Sequence, residues 1–305
     1  MSLPRNFLEA IERRQALLAT EPCVRLLHLD DRTLRCDRFG RVCWGYWYSE
    51  EDPPPQLHTE LDDLCRIIDA DHWHLHGMSD RGRDPNRRRH WSSAEAPVSW
   101  RATEDNLQFV LKSDRGQSPG LFLDQRDNRR WVRNNSARRR VANLFSYTGA
   151  FGVAAACGGA SHVEQIDVSR PYLAWSAQNA QMNGVGEVMT HTAVDAQLFL
   201  SGCQKRSRQF DAIICDPPSF ARGGRGRPAW QVIDHLPGLV QKALELLTPD
   251  GWLLVSSNHE GWSREQMLDV LKGLGSKRIE AAAEPGKDFE FEGTEPLLKG
   301  FILWR

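Results

Sequence analysis

No stretch of this 305-residue chain approaches the roughly 20 consecutive apolar residues that a bilayer-spanning helix requires. The opening segment, MSLPRNFLEAIERR, lacks the apolar core of a secretory signal, so the expectation is a cytoplasmic protein with no membrane partner. Cysteine is present but not in pairs. Cys23, Cys36, Cys43, Cys65, Cys157, Cys203 and Cys215 are seven in number and contain no C-x-x-C, which argues against a disulfide framework or a structural zinc site. Excess charge is also absent. With 39 basic and 40 acidic side chains the formal net charge is −1, so bulk charge selects no partner. There is no internal repeat.

What the sequence does have is local bias. RGRDPNRRRH (81–90), RDNRRWVRNNSARRR (126–140), KRSR (205–208) and RGGRGR (222–227) are rich in arginine, whose planar fork suits phosphate. Solvated surface balanced by the acidic stretches 49–63 and 284–295 explains any one run equally well. Together the four favour a nucleic-acid partner modestly. DHWHLHGM places His72, His74 and His76 in strand-like alternation without a cysteine or a placed carboxylate, and no metal is expected there.

The texture divides the chain. Residues 1–104 read as a β-rich domain for substrate binding or oligomerisation, with helices near 4–20 and 57–70. Its tryptophans (Trp44, Trp47, Trp73, Trp91, Trp100) suit an RNA contact, a homodimer interface or a core. LQFVLKS (107–113) and GLFLDQR (120–126) read as a connecting hairpin within 105–135. From 136 to 305, strands alternate with helices. That pattern implies a doubly wound, mainly parallel α/β sheet of about seven strands, the last antiparallel.

Ligands of open α/β sheets lie outside the carboxyl ends of the strands. The first such end carries SYTGAFG, with Gly149 and Gly152. The second ends on Asp167, eighteen residues after Gly149, where an acid can accept ribose hydroxyls. The third ends on Asp195, the fourth on Asp216-Pro217-Pro218, and the fifth on Ser256-Ser257-Asn258. Acids at three successive strand ends beside a glycine turn describe a nucleoside site. The loop has no third glycine for a pyrophosphate, which counts against a Rossmann oxidoreductase, and no G-K-[ST], which excludes a P-loop. A nucleoside without phosphate fits best. S-adenosylmethionine is one, with Asp167 on the ribose, Asp195 facing the adenine amine and the loop against the methionine part.

GLFLDQRDNR, NLFSYTGAFGVAAACGGASHVEQIDVS, AQNAQMNGV, FDAIICDPPSF and LLKGFILWR, occurring in that order, resemble the class I S-adenosylmethionine-dependent methyltransferases of bacterial 23S ribosomal RNA, a group that makes 5-methylcytosine or 7-methylguanine. The resemblance runs from about residue 105 to the end. The first hundred residues do not resemble the small RNA-binding domain that many members carry. The resemblance implies that Gln125 and Arg126 line the cofactor side, that Tyr147, Thr148 and Gly149 form the cofactor loop, and that Asp167, Asp195 and Asp216 are its polar contacts. It implies ribosomal RNA as partner. A target base would stack on Phe220, beside Ser219, with Arg222 and Arg225 of the following loop on the phosphates.

Methylation at carbon 5 of a pyrimidine needs a thiolate that attacks the ring first. The resembling cytosine enzymes carry that cysteine in the fifth-strand segment; related ones carry a second after D-P-P. Here Ser257 and Ser219 stand at those places. Cys215 alternates with Asp216 and is expected to be buried and inert. The expected target is therefore a nitrogen, with Asp216, Pro217, Pro218 and Asn258 around it and His259 either a further residue that orients the base or a plain loop residue, and VSSNHEG resembles the S-N-N segment of the guanine-N7 enzymes. Two other readings stay open: a methyltransferase of a protein or small molecule, and a catalytically silent RNA-binding scaffold.

Overall fold

In the computed structural model the chain forms two compact units, residues 1–123 with 286–290, and residues 124–285 with 291–305. The structure describes all residues except 1–2, 29, 32, 79–88, 222–229 and 292–294.

The first unit begins with helix α1 (Arg5–Leu18) and continues through strands β1 (Cys23–Leu27), β2 (Leu34–Phe39) and β3 (Val42–Trp47), helix α2 (Pro55–Ile67), and strands β4 (His72–Gly77) and β5 (His90–Ser92). These strands pair in chain order, and only the β3–β4 pair, joined through α2, is parallel. Phe7, Ala10 and Ile11 of α1 and Leu57, Leu61 and Leu64 of α2 recur at helical spacing and share one core with Leu26, Leu27 and Trp47 of the sheet. Trp44 and Trp73 are buried too, so these tryptophans are core residues. His74 belongs to an internal aromatic cluster, stacked on Trp100 and engaged at both ring nitrogens by His90 and the Pro97 carbonyl.

A separate hairpin joins β6 (Ser99–Glu104) to β7 (Leu107–Lys112). The expected partner of 107–113 was the stretch 120–126, and the structure corrects this. Leu123–Gln125 forms a 3-10 turn, followed by helix α3 (Arg126–Asn134). The reason is amphipathicity at helical spacing: Arg126, Arg129 and Val132 are all buried on α3.

The second unit contains β8 (Arg140–Leu144), α4 (Ala150–Cys157), β9 (His162–Asp167), α5 (Arg170–Met182), β10 (Met189–Ala193), α6 (Ala196–Lys205), β11 (Phe210–Cys215), the two-residue strands β12 (Phe220–Ala221) and β13 (Trp230–Gln231), α7 (Val232–Glu245), β14 (Leu247–Ser257), α8 (Arg264–Lys272), β15 (Arg278–Ala281) and β16 (Lys299–Trp304). Seven strands lie in the order β10-β9-β8-β11-β14-β16-β15, with β16 antiparallel to both neighbours. The strand order reverses between β8 and β11, which is where a doubly wound sheet opens a crevice.

Candidate active site

The carboxyl ends of β8, β9, β10, β11 and β14 bring the anticipated acids to one edge of the sheet. After β8 the chain makes a tight loop in which Phe145, Tyr147 and Gly149 adopt positive φ of 55°, 50° and 81°. Gly149 cannot be replaced cheaply, because a Cβ there would meet Ser176 Oγ at 2.0 Å. The loop is held from behind by buried amides. Asn143 donates to Gln165 Oε1 at 2.8 Å, Gln165 donates to the Gly149 carbonyl at 3.1 Å, and Asn179 donates to the Thr148 carbonyl at 2.9 Å.

Asp167 Oδ2 accepts the Tyr147 backbone N–H at 3.0 Å, and Oδ1 accepts that of Ser169 at 2.8 Å. Ser169, not Asp167, caps α5. Burial raises the Asp167 carboxyl above its usual range despite these bonds. Asp195 caps α6, its Oδ1 accepting the N–H groups of Gln197 and Leu198. The apolar side chains of Val168 and Leu198 are nonetheless exposed, at 49% and 65%. Val168 follows Asp167 directly and Leu198 lies three residues after Asp195, and their exposure is seen only in three dimensions.

Asp216 lies one residue past β11, partly buried. Its Oδ1 accepts the Ser256 hydroxyl proton at 2.7 Å. Burial pushes its pKa up to about 6, aided by the charge of Asp124 and opposed by the Ser256 and Gln125 hydrogen bonds and the charge of Arg129. Pro217 is buried and Pro218 exposed. The Pro218 carbonyl accepts Trp230 Nε1–H at 2.9 Å, and Phe220 pairs with Gln231 across β12 and β13, so the D-P-P-S-F segment runs into the base of a hairpin. Phe220 is 57% exposed. Ser219 Oγ donates to Asn258 Oδ1 at 2.8 Å. His259 closes its own turn, its Nδ1 accepting the Gly261 N–H at 2.7 Å. Arg222 and Arg225 lie outside the described residues.

Cys215 is fully buried, and burial pushes its thiol well up. Gln125 and Arg126 are also buried, at 3% and 2% exposure. The arginine-rich run 126–140 therefore reads differently in three dimensions. Arg126 and Arg129 are interior, Arg130 pairs with Asp127, and Arg140 pairs with Asp211. In the 205–208 run, Arg208 pairs with Glu164.

This edge fits S-adenosylmethionine. It offers carboxylates for hydroxyl and amine donors, exposed apolar side chains for an aromatic base, and a buried loop hydroxyl, Ser146 Oγ, without a partner among the described residues. Residues 64–272 match the family model described as S-adenosylmethionine-dependent methyltransferase. The chain is similar to the ribosomal RNA large subunit methyltransferase K of Neisseria meningitidis, 35% identical over 58% of this chain and 51% of that one. It is likewise similar to the methyltransferase K/L of Shewanella baltica, 35% identical over 59% of this chain and 25% of that one. The chain thus spans about half the length of the first relative and a quarter of the second. A methyltransferase crystallised with S-adenosylhomocysteine shares the fold, with a TM-score of 0.86 and 24% identity over 99% of this chain and 80% of that one. Sheet order, strand-end acids and family match agree, and the chain belongs to the S-adenosylmethionine-dependent methyltransferase family.

Proposed function

We propose that this protein methylates a nitrogen of an RNA base, with ribosomal RNA as the substrate class. The RNA assignment is supported by the relatives, which are named as ribosomal RNA large subunit methyltransferases. The preference for nitrogen is carried by one observation: Cys215, the cysteine beside Asp216, is wholly buried with its thiol pushed up; serine stands at 219 and 257, where the resemblance would place the cysteines of the cytosine enzymes.

When bound, S-adenosylmethionine supplies a methyl on a cationic sulfur, and the acceptor nitrogen's lone pair forms the N–CH3 bond as the C–S bond breaks, leaving its electron pair on sulfur. Asp167, Asp195 and the Tyr147-Thr148-Gly149 loop would hold its nucleoside and amino-acid parts, and the exposed Val168 and Leu198 would give its base an apolar surface. Asp216 and the Pro217–Pro218 backbone orient the acceptor and, for an amino nitrogen, Asp216 takes its proton. Such positioning against a sulfonium suffices for a nitrogen nucleophile. Phe220 offers a stacking face for an extruded base, and Ser219, which precedes it in the chain, is bonded to Asn258.

The test is transfer from labelled S-adenosylmethionine to ribosomal RNA of cells lacking this gene, with total protein in parallel, followed by nucleoside digestion. Label in a guanine or adenine nitrogen is expected. Label at pyrimidine carbon 5, or only in protein, overturns the proposal.

A further inference from the structure

Four side chains at the sheet edge form a buried hydrogen-bond chain. Asn128 Nδ2 donates to Gln125 Oε1 at 2.7 Å, Gln125 Nε2 donates to Ser256 Oγ at 3.0 Å, and Ser256 Oγ donates to Asp216 Oδ1 at 2.7 Å. Exposure of Asn128, Gln125 and Ser256 is 1%, 3% and 0%.

The direction of the chain follows from its chemistry. An amide nitrogen only donates, so Ser256 receives at one lone pair and has a single proton to give. A carboxylate only accepts, so that proton goes to Asp216. The Gln125 carbonyl, turned to the Asn128 amide, fixes which end of Gln125 meets the serine. Each member thereby locks the next, from α3 through the end of β14 to the end of β11.

We propose that Ser256, Gln125 and Asn128 are positioning residues that hold the Asp216 carboxylate, Ser256 at its Oδ1, and keep it turned to accept from the reacting nitrogen or the cofactor amine. This rests on reading the edge as the methyl-transfer site. It gives Gln125 a role through Asp216 instead of direct contact with the cofactor, because both ends of its amide are engaged within the protein. It also explains why Ser256 is a serine in a strand otherwise buried and apolar from Trp252 to Val255. A donor to the carboxylate favours its charged form, opposing the upward pull of burial.

The experiment follows the Asp216 carboxyl carbon by NMR across pH in the full chain with labelled aspartate, the resonance identified by its loss in Asp216→Asn. Binding of S-adenosylmethionine to the same proteins is measured alongside. A midpoint near 6 is expected for the wild-type chain. Ser256→Ala should raise it by about one pH unit, a tenfold change in the proton equilibrium. Gln125→Met should raise it by less, and it provides the second reading if Ser256→Ala does not fold. A wild-type midpoint in the ordinary range near 4, or midpoints unmoved in both variants, overturns the proposal. A shifted midpoint in a chain that binds no S-adenosylmethionine supports the hydrogen-bond chain and sinks the reading of the edge as a cofactor site.

Discussion

The Asp167 carboxylate holds the Tyr147 backbone N–H at 3.0 Å, tying the end of one strand to the turn that follows its neighbour. Both oxygens serve backbone donors, since Ser169 N–H takes the other. Asp167→Ala leaves two N–H groups without that acceptor and frees a loop that holds Tyr147 at positive φ. A loss of about 1–3 kcal/mol is expected by denaturant unfolding, together with at least tenfold weaker S-adenosylmethionine binding by calorimetry. Unchanged binding would remove Asp167 from the site.

Gly152 faces Gln165 across the interface of α4 and β9. A Cβ on Gly152 would meet Gln165 Nε2 at 2.0 Å, and that amide holds the Gly149 carbonyl. Gly152→Ala must therefore displace the support of the cofactor loop. The expected cost is about 1–3 kcal/mol for overpacking, with cofactor binding falling more steeply than stability. Thermal unfolding and binding isotherms on one preparation separate the two effects.

The three strand-end acids and the glycine loop were legible because a doubly wound fold places strand termini together, and short apolar runs ending on Asp announce those termini. The supporting side chains were not. Asn128, Gln165 and Asn179 are ordinary polar residues in helices and strands, and only packing shows that Gln165 and Asn179 meet loop carbonyls while Asn128 meets the Gln125 side chain. The 107–126 stretch misled for a related reason. FLDQR reads as a strand end until the burial of Arg126 and Arg129 on α3 shows a helix. Arginine runs likewise reveal composition and not exposure, so a basic run can be half interior.

Asp216 makes stability depend on pH in a defined direction. Its folded pKa, about 6, exceeds the unfolded value of 3.8. Below the unfolded value both states carry the proton and nothing is lost. Between about 4 and 6 the unfolded chain ionises first, so stability falls as pH rises, and above about 6 the loss is constant. Asp216→Asn does not ionise. Its stability relative to wild type should rise across that window by at most about 3 kcal/mol and then level off. Parallel urea titrations at pH 4, 5, 6 and 7 would show it, and a difference flat with pH would contradict the raised value.

Phe220 is exposed beside the D-P-P segment, so its removal should cost the fold within about 0.5 kcal/mol. On a stacking role, Phe220→Ala loses about 1–3 kcal/mol of base contact, seen as a higher KM for RNA with S-adenosylmethionine affinity intact. Equal KM values would place the base elsewhere.

Cys215 separates the two chemistries most directly. A carbon-5 mechanism cannot proceed without a thiolate, and this thiol is the one next to Asp216 in the chain. Burial holds it protonated and away from solvent. Cys215→Ala keeps the Cβ and removes one sulfur atom from the core shared with Leu144, Ile213 and Val255. A stability cost of about 1 kcal/mol is expected from the small cavity, with methyl transfer retained within a few-fold. A nitrogen mechanism tolerates the change because Asp216, the paired prolines and Asn258 are left in place. Abolished transfer in a variant that still folds and binds S-adenosylmethionine would put the thiol in the chemistry and the methyl group on carbon.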